Sequence, residues 1–381
     1  MLNAEVKAEL RVLNSLRHSA LSIQHCLLAA ALVGSATARQ PESLRSVGGL
    51  PAHIAGRFTE LTLCRQAADG TFFVFDRRSH TVFNVARTAD EPREIVRIGA
   101  EPGRILRPYA FDMAADGSFV VADAPGGRGR VQFFMTTGSR LGGFALPGRE
   151  VPLVTFDGLV LSGLGSLVYN GRSIFVSRPE SGSLVTELGV DGVSARTFGA
   201  LRTTGHEQDR DLHLALNSGL VVINPEGGFY FVFVGGVPMF RKYDASGTLT
   251  FERHVEGIEV DEYMRNRPTT WPRRKTADRE IPAVRPIVRA AAADANGNLW
   301  VSLDVPYTYV YDRTGDKQRV VQFRAAGLIA PTNLSFTQTG RILATPGCFL
   351  FEPRSGTVPK SPPARIGRTA LWSSLRSAHP R

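Results

Sequence analysis

Lysine, cysteine and long apolar runs are all scarce in this sequence of 381 residues. Only five of the 45 basic residues are lysines, only three residues are cysteines, and the longest uninterrupted apolar run extends from Cys26 to Val33. That run is far shorter than the roughly 20 residues that a transmembrane helix needs, and so few cysteines exclude a disulfide-dense scaffold. Glycine, with 38 residues, and proline, with 23, are abundant instead. This composition is typical of short strands joined by tight turns.

The positive charge is carried mainly by arginine and is concentrated locally. The formal net charge is +10, with one basic cluster at residues 265–275 and another in a proline-containing C-terminal tail, 353–381, which holds no acidic residue. A basic protein attracts anionic partners, but proteins that bind nucleic acids usually gather their charge on one face. We interpret the tail as solvated, and the pattern does not favour specific nucleic-acid binding.

The N-terminal segment, residues 1–38, has the features of a secretory signal peptide. The apolar residues 26–33 are preceded by Arg11 and Arg17 and followed by Ala36 and Ala38, which have the A-x-A spacing of a cleavage site. About 25 residues precede the apolar core, which is long for a signal, so an amphipathic helix capping the domain is the alternative. A cleaved signal predicts a periplasmic or secreted protein with no transmembrane segment in the mature chain.

Export changes what the cysteines can do. Without Cys26 the mature chain keeps Cys64 and Cys348, which could pair in an oxidising compartment. Two separate buried thiols are the simpler interpretation, because neighbouring strands do not guarantee the Cα separation of about 5.5 Å that a disulfide needs.

A turn dipeptide followed by an apolar strand recurs six times along the chain. Asp-Gly and Asn-Gly are strong signals for hairpins, because tight turns need positive φ at their central residues. Further apolar strands flank each copy, so each unit predicts four antiparallel strands, the composition of a propeller blade. The six dipeptides are Asp69-Gly70, Asp116-Gly117, Asn170-Gly171, Glu226-Gly227, Asn296-Gly297 and Thr339-Gly340. We therefore predict an all-β, six-bladed propeller over residues 39–352, with no doubly wound α/β domain.

The N-terminal end of this domain is predicted to close the ring. The last unit runs out of strands near Glu352, whereas residues 43–47 form a strand pattern ahead of the first unit. We expect that strand to complete the sixth blade. Closure removes the open sheet edges that would recruit another chain, so we expect a monomer.

One unit resembles the repeat of NHL propellers. Residues 103–138 contain a proline-led strand, the turn Asp116-Gly117, the strand ending Val121-Ala122-Asp123, and Arg130-Val131-Gln132 before a final glycine. The other units match this pattern only in part. The chain is thus similar to exported bacterial propellers of the NHL type, and the resemblance implies a six-bladed fold and a binding-scaffold role rather than one chemistry.

Two insertions interrupt the spacing of the units and carry the candidate ligand-binding residues. Residues 199–214 hold His206 and His213 among carboxylates, a composition that suits either a metal or a solvated polar loop. The insertion at residues 256–285 is long enough to be functional, and its aromatic and basic side chains suit a partner or an anionic ligand. We predict that it caps one mouth of the channel and binds through Tyr263, Arg265, Arg267, Trp271, Arg273 and Arg274.

A second family resemblance bears on whether the protein is an enzyme. Six-bladed propellers of the gluconolactonase and regucalcin type hold calcium or zinc in the central channel, and likeness to them implies oxygen ligands at strand ends. The matching positions here are Glu60, Asn217, Asp304 and Asn333. Such a cation would polarise an ester carbonyl. However, Glu60 lacks the Gly-Pro context of that family.

The sequence leaves two functions open. The first is an exported scaffold, with no required cofactor, that presents one face or its channel to a protein, peptide or carbohydrate. The alternative is a hydrolase or lactonase that depends on calcium or zinc. Neither a G-x-S-x-G nor an H-E-x-x-H motif occurs, so the sequence does not decide whether the protein is an enzyme.

Overall fold

A computed structural model describes residues 40–146, 155–156, 159–160, 166–266, 270–275 and 280–353. The predicted signal peptide, 1–38, and all but the first residue of the predicted tail, 353–381, lie outside these ranges. From Pro41 onward the described residues belong to one compact unit.

Strand pairs and four-stranded antiparallel sheets make up most of this unit. Strand β1 spans Glu42–Gly49, and a short helix, α1, spans Ala52–Ala55. The first sheet contains β2 (Leu61–Gln66), β3 (Phe72–Asp76), β4 (Thr81–Val85) and β5 (Arg93–Val96). The second contains β6 (Ala110–Met113), β7 (Phe119–Asp123), β8 (Arg130–Phe134) and β9 (Arg140–Ala145).

The chain continues in the same pattern. A hairpin of β10 (Thr155–Phe156) and β11 (Leu159–Val160) precedes the third sheet, which contains β12 (Leu167–Tyr169), β13 (Ser173–Ser177), β14 (Ser183–Gly189) and β15 (Ser194–Ala200). Helix α2 (Arg210–Leu216) leads to the fourth sheet, which contains β16 (Gly219–Ile223), β17 (Phe229–Phe233), β18 (Met239–Tyr243) and β19 (Leu249–His254). Helix α3 (Ile258–Arg265) and a hairpin of β20 (Arg273–Lys275) and β21 (Glu280–Pro282) follow.

The remaining strands form one eight-stranded sheet. Its first part contains β22 (Val288–Ala293), β23 (Leu299–Leu303), β24 (Thr308–Tyr311) and β25 (Lys317–Arg324), and its second part contains β26 (Asn333–Phe336), β27 (Ile342–Thr345) and β28 (Phe349–Phe351). Strand β1 lies between β25 and β28 and joins the two parts.

The pairing of β1 with β28 is the closure predicted from the sequence. The second half of β1 is antiparallel to β28, with Ser46 opposite Phe351. The first half is parallel to β25, with Leu44 opposite Phe323, and this pairing was not predicted. The register of the β1–β28 pair shifts between Ser46 and Gly48. The expected six separate sheets are therefore observed as four separate sheets and one sheet of eight strands.

The innermost strands of the sheets follow one another in a closed circuit. Strand β2 contacts β6, β6 contacts β12, β12 contacts β16, β16 contacts β22, β22 contacts β26, and β26 contacts β2. Sheets whose first strands meet in this way are arranged radially about an axis. The chain is thus an all-β propeller with four-stranded antiparallel blades.

Each turn dipeptide precedes the second strand of a sheet, and the burial of these strands explains why the dipeptides recur so regularly. All five residues of β3, β7, β17 and β23 are buried, because these strands lie inside their sheets with neighbouring sheets packed on both faces. The turns before β3 and β7 require glycine, since Gly70 and Gly117 have φ values of +87° and +85°, which side chains disfavour.

The aspartates that end two of these strands hold the neighbouring connections. The carboxylate of Asp123 accepts hydrogen bonds from the backbone N–H of Leu106 (3.0 Å) and from the guanidinium of Arg130. Asp76 accepts from the backbone N–H of Thr59 (2.7 Å) and of Glu60 (3.1 Å). The Asp of the repeat is therefore a structural residue that ties the entry of a sheet to the end of its second strand.

Cys64 and Cys348 form a disulfide, with a Cα–Cα distance of 5.8 Å. The expectation of two separate thiols is therefore wrong. Ring closure brings β2 against β27, and Cys348 occupies the turn before β28. The bridge thus joins the first sheet to the last strands of the chain. Among the described residues, no helix has the length and apolar character to cross a membrane.

Candidate functional site

Both insertions emerge on the same face of the propeller. Helix α2 lies between β15 and β16, and helix α3 with the β20–β21 hairpin lies between β19 and β22. Each insertion therefore connects the outermost strand of one blade to the innermost strand of the next. In a four-stranded antiparallel blade, such connections share one face with the turns between the second and third strands. The prediction that the insertions are loops is incomplete, because each contains a helix.

The first insertion is shaped by local hydrogen bonds to its carboxylates. Asp209 caps α2 by accepting a hydrogen bond from the backbone N–H of Leu212 at 3.3 Å. Glu207 accepts from the backbone N–H of Thr204 at 2.7 Å, and this bond lowers the pKa of Glu207. Nδ1 of His213 lies 2.8 Å from the hydroxyl of Thr204. These carboxylates and His213 organise the loop with one another rather than pointing together at a metal.

The two insertions pack against each other. The rings of His206 and Trp271 meet edge to face, with centroids 5.2 Å apart. The guanidinium of Arg273 bonds the carboxylate of Asp209, and this bond lowers the pKa of Asp209. Beneath them, Leu212 of α2 is buried in a small cluster with Val284. The insertions therefore form one layer, and no motif in the sequence predicted that they pair.

A pocket of about 460 Å³ opens beside this layer. Its size is within the range of small-molecule sites. Its wall combines the insertions with the two outer strands of the fourth sheet. It is lined by Leu201, Arg202, Thr203, Thr204, His206, Leu216, Val237, Met239, Arg241, Glu252, His254 and Trp271.

The two arginines of the pocket are held by the protein itself. The guanidinium of Arg202 donates to the carbonyl oxygens of Val237, Leu216 and Gly235 at 2.6–2.7 Å. It also stacks on Phe233.

Arg241 is engaged in the same way. Its guanidinium donates to Glu252 at 2.6 Å and to the carbonyl oxygen of Ala200 at 2.5 Å. With both guanidinium groups committed, the pocket does not form a charged clamp. Trp271, His254 and Thr203 are among its other lining residues.

The predicted ligand-binding residues are only partly brought together. His206, His213, Trp271 and Arg273 belong to the paired insertions. Arg265 ends α3 and Arg274 lies in β20, and both are exposed and outside the pocket lining. Tyr263 lies in α3, but its side chain is outside the described part of the structure, as is the whole of Arg267.

The four positions considered for a channel cation each have partners of another kind. Glu60 bonds the guanidinium of Arg77. The side-chain amide of the buried Asn217 is engaged by backbone groups, with its Oδ1 accepting from Arg202 N–H at 2.8 Å.

The other two positions are held by arginines. Asp304 pairs with Arg285 at 2.8 Å and with Arg289 at 2.5 Å. Oδ1 of Asn333 accepts from Arg65 at 2.7 Å. Cationic and backbone donors already occupy the oxygens that a cation would need, so these four residues do not fit a calcium or zinc site as they stand. Across the described ranges, no three His, Cys, Asp or Glu side chains are grouped to hold a metal.

The sequence did not point to the strand residues of the pocket. Met239 and Arg241 in β18, and Glu252 and His254 in β19, look like ordinary alternating residues of outer strands. Only their position could have indicated a role. The outer strands of a blade lie next to the insertion that follows the blade in the chain.

Known proteins resemble this chain in structure at low identity. The sequence matches no protein-family model and no curated protein. Virginiamycin B lyase from Staphylococcus aureus is 8% identical over 74% of this chain and 76% of that chain, with a TM-score of 0.47. A gluconolactonase from Xanthomonas campestris is 14% identical over 82% and 94%, with a TM-score of 0.46. The WD40 β-propeller domain of Doa1 is 10% identical over 76% of both chains, with a TM-score of 0.43. Similarity of this degree does not specify an activity.

Proposed function

We propose that the protein is an exported, monomeric, six-bladed propeller of the NHL type that binds a ligand in the pocket beside its two insertions. The six-bladed interpretation treats β1 and β26–β28 as the sixth blade and β22–β25 as the fifth. The closed circuit of six innermost strands supports this count. The parallel pairing of β1 with β25 is then a seam between two blades.

Export is supported by the disulfide. A disulfide between Cys64 and Cys348 persists in an oxidising compartment and is rare in the cytosol. The A-x-A pattern at Ala36 and Ala38 fits the same destination. Mass spectrometry of the protein purified from its native host tests both, since export predicts a chain that begins at residue 39 and carries no free thiol at either position.

The single observation that carries the binding proposal is the pocket formed where the two insertions meet β18 and β19. Its lining includes the indole of Trp271, the imidazole of His254 and the hydroxyl of Thr203, whereas its two guanidinium groups are already bonded. An aromatic face with neutral hydrogen-bonding groups suits a carbohydrate or a neutral peptide segment better than an anion. The pocket therefore favours a neutral ligand, whereas the basic side chains of residues 256–285 had also allowed an anionic one.

The test is a binding screen followed by calorimetry. Neutral oligosaccharides and uncharged peptides are screened by tryptophan fluorescence against a Trp372→Phe variant, because, of the other two tryptophans, Trp271 borders the pocket while Trp300 is fully buried. Titration calorimetry then compares each ligand with His254→Ala and with Leu249→Ala. Both residues lie in β19 and both are exposed, but only His254 lines the pocket.

We expect His254→Ala to weaken binding by about tenfold, the loss of one good hydrogen bond, and Leu249→Ala to leave it unchanged. Binding that survives both His254→Ala and Trp271→Ala would place the ligand elsewhere on the protein. Failure of the whole panel to bind would remove the carbohydrate and peptide proposal.

A further inference from the structure

A second pocket, of about 410 Å³, opens between the first sheet and the last strands of the chain. This closure pocket lies beside the end of β1, and its lining shares no residue with the pocket bordered by Trp271. Its volume is within the range of small-molecule sites. Asp69, Arg87 and Gln338 in its wall are exposed, so a dissolved ligand can reach it.

The floor of the closure pocket is apolar. Leu50 follows β1, Phe72 lies in β3 and Leu350 lies in β28, and each keeps 6–7% of its surface accessible. All three line the pocket and belong to the buried cluster that packs the first sheet against the last strands. Because burial of apolar surface is favourable, this floor favours a ligand with an apolar side chain.

Most polar side chains of the closure pocket already have partners. The amides of Gln66 and Gln338 donate to backbone carbonyl oxygens at 3.2 and 3.3 Å. The guanidinium of Arg341 donates to the carboxylate of Glu352 at 2.8 Å, and the two threonine hydroxyls of the lining bond each other at 2.9 Å. The charges that remain for a ligand are those of the aspartate and of the other arginine in the lining.

These two residues, Asp69 and Arg87, are neighbours of opposite charge that do not pair with each other. Oδ1 of Asp69 accepts a hydrogen bond from the backbone N–H of Thr71 at 2.9 Å, whereas Oδ2 accepts none from the described residues. The guanidinium of Arg87 has no hydrogen-bond or ion-pair partner in the described part of the chain. Its Cδ lies over the Asp69-Gly70 turn, since a Cβ added at Gly70 would be 3.7 Å from it. The pocket therefore presents one cation and one anion side by side at the edge of an apolar floor.

We propose that the closure pocket binds a free α-amino acid with an apolar side chain. The α-carboxylate pairs with Arg87, the α-ammonium group pairs with Asp69, and the side chain lies on the apolar floor. A zwitterion satisfies both charges, whereas a simple anion meets the repulsion of Asp69 and a simple cation meets that of Arg87. Charge-assisted hydrogen bonds at both groups fix the orientation of the ligand. The proposal is independent of the proposed function, and either can fail without the other.

Titration calorimetry of the full-length protein with L-leucine and, separately, with L-phenylalanine tests the site. We expect saturable binding of at least one of them, and binding of glycine that is at least about tenfold weaker because glycine has no side chain to bury. The N-acetyl derivative of the tighter ligand lacks the ammonium charge, and its amide derivative lacks the carboxylate. Each should bind about tenfold or more weakly than the parent amino acid, since hydrogen bonds to charged groups contribute most.

Two variants assign each charge to its residue. Arg87→Gln should weaken binding of the amino acid about tenfold or more but leave binding of its amide derivative unchanged. Asp69→Asn should weaken the amino acid to a similar degree but leave the N-acetyl derivative unchanged. Asp69→Asn keeps the Oδ1 acceptor and gives the Asn-Gly turn that the chain already uses at Asn170-Gly171. We therefore expect its melting temperature to equal that of the parent protein.

Asp116→Asn and Arg93→Gln are the matched controls. Asp116 has the same turn position in the second unit, Arg93 is exposed in β5 of the first sheet, and both lie outside the closure pocket. Both variants should bind the amino acid as the parent protein does. Absence of saturable binding for both amino acids, or glycine binding as tightly as they do, overturns the proposal. Parent-like binding by Arg87→Gln, or equal weakening by the controls, overturns it as well.

Discussion

The guanidinium of Arg65 bonds the carboxylate of Asp112 through two nitrogens, at 3.0 and 2.9 Å, and so joins the innermost strands of the first and second blades. A third nitrogen of the same guanidinium reaches Asn333 in β26 at 2.7 Å. The other oxygen of Asp112 accepts the backbone N–H of Tyr169 in β12 at 2.8 Å. One arginine and one aspartate therefore connect four consecutive inner strands around the axis.

Replacing this arginine should destabilise the whole ring. Arg65→Gln leaves the buried carboxylate of Asp112 without its cation, and we expect a loss of about 2–4 kcal/mol in the free energy of unfolding, measured by urea denaturation. Arg97→Gln is the control, because Arg97 and Glu94 are 70% and 47% exposed and such pairs contribute less than about 1 kcal/mol. Equal losses in the two variants would contradict the role given to Arg65.

The disulfide should stabilise the closed ring. The bridge between Cys64 and Cys348 encloses most of the domain, and disulfides of long loops typically contribute about 2–4 kcal/mol. We expect dithiothreitol to lower the melting temperature of the parent protein. The double variant Cys64→Ala, Cys348→Ala should melt at that lower temperature with or without the reductant. A melting temperature of the parent that does not respond to full reduction would argue against the bridge.

Two glycines with similar backbones should respond very differently to a methyl group. Gly138 and Gly126 have φ values of +86° and +62°. A Cβ at Gly138 would lie 2.0 Å from the carbonyl oxygen of Ile95, whereas one at Gly126 meets no described atom within 4 Å. By thermal denaturation, Gly126→Ala should cost about 1 kcal/mol for its backbone conformation. Gly138→Ala should cost about 3 kcal/mol or more, because the backbone of the first blade must also move. Similar costs at both sites would contradict this packing.

Calcium and zinc should leave the melting temperature unchanged. A cation bound to the native state at a hundredfold excess over its dissociation constant would stabilise the protein by about 2.7 kcal/mol. Because Glu60 and Asp304 are paired with arginines, we expect no saturable rise with either chloride after dialysis against chelator. A rise that EDTA reverses would favour the metal-dependent hydrolase instead.

The repeated blades could be predicted from the sequence because their determinants are local. A turn such as Asp116-Gly117 needs positive φ, and the aspartate at the end of β7 holds the adjoining connection, so both leave a mark at fixed spacing. The closure by β1 was predictable because the last unit lacks a strand, whereas residues 43–47 form a strand pattern ahead of the first unit. Its second pairing, with β25, joins strands of two different units, and no local motif indicates such a pairing.

The candidate sites were harder to predict because their parts are distant in the chain. Trp271 and His206 stood out by composition, but the contact between them depends on how two helical insertions pack. The side-chain oxygens of residues at strand ends, such as Asn333, can bind a metal cation, and they can equally well accept hydrogen bonds from an arginine. Only their neighbours, such as Arg65, distinguish the two.

Strand β1, which lies between β25 and β28, also imposes an order on folding. Ser46 finds its partner, Phe351, some 300 positions further along the chain, so nascent polypeptide emerging from the ribosome must expose its earliest strand until synthesis is nearly finished. Such non-local pairing delays the last step of folding. The ring can therefore be completed only after the last strand, β28, has been synthesised.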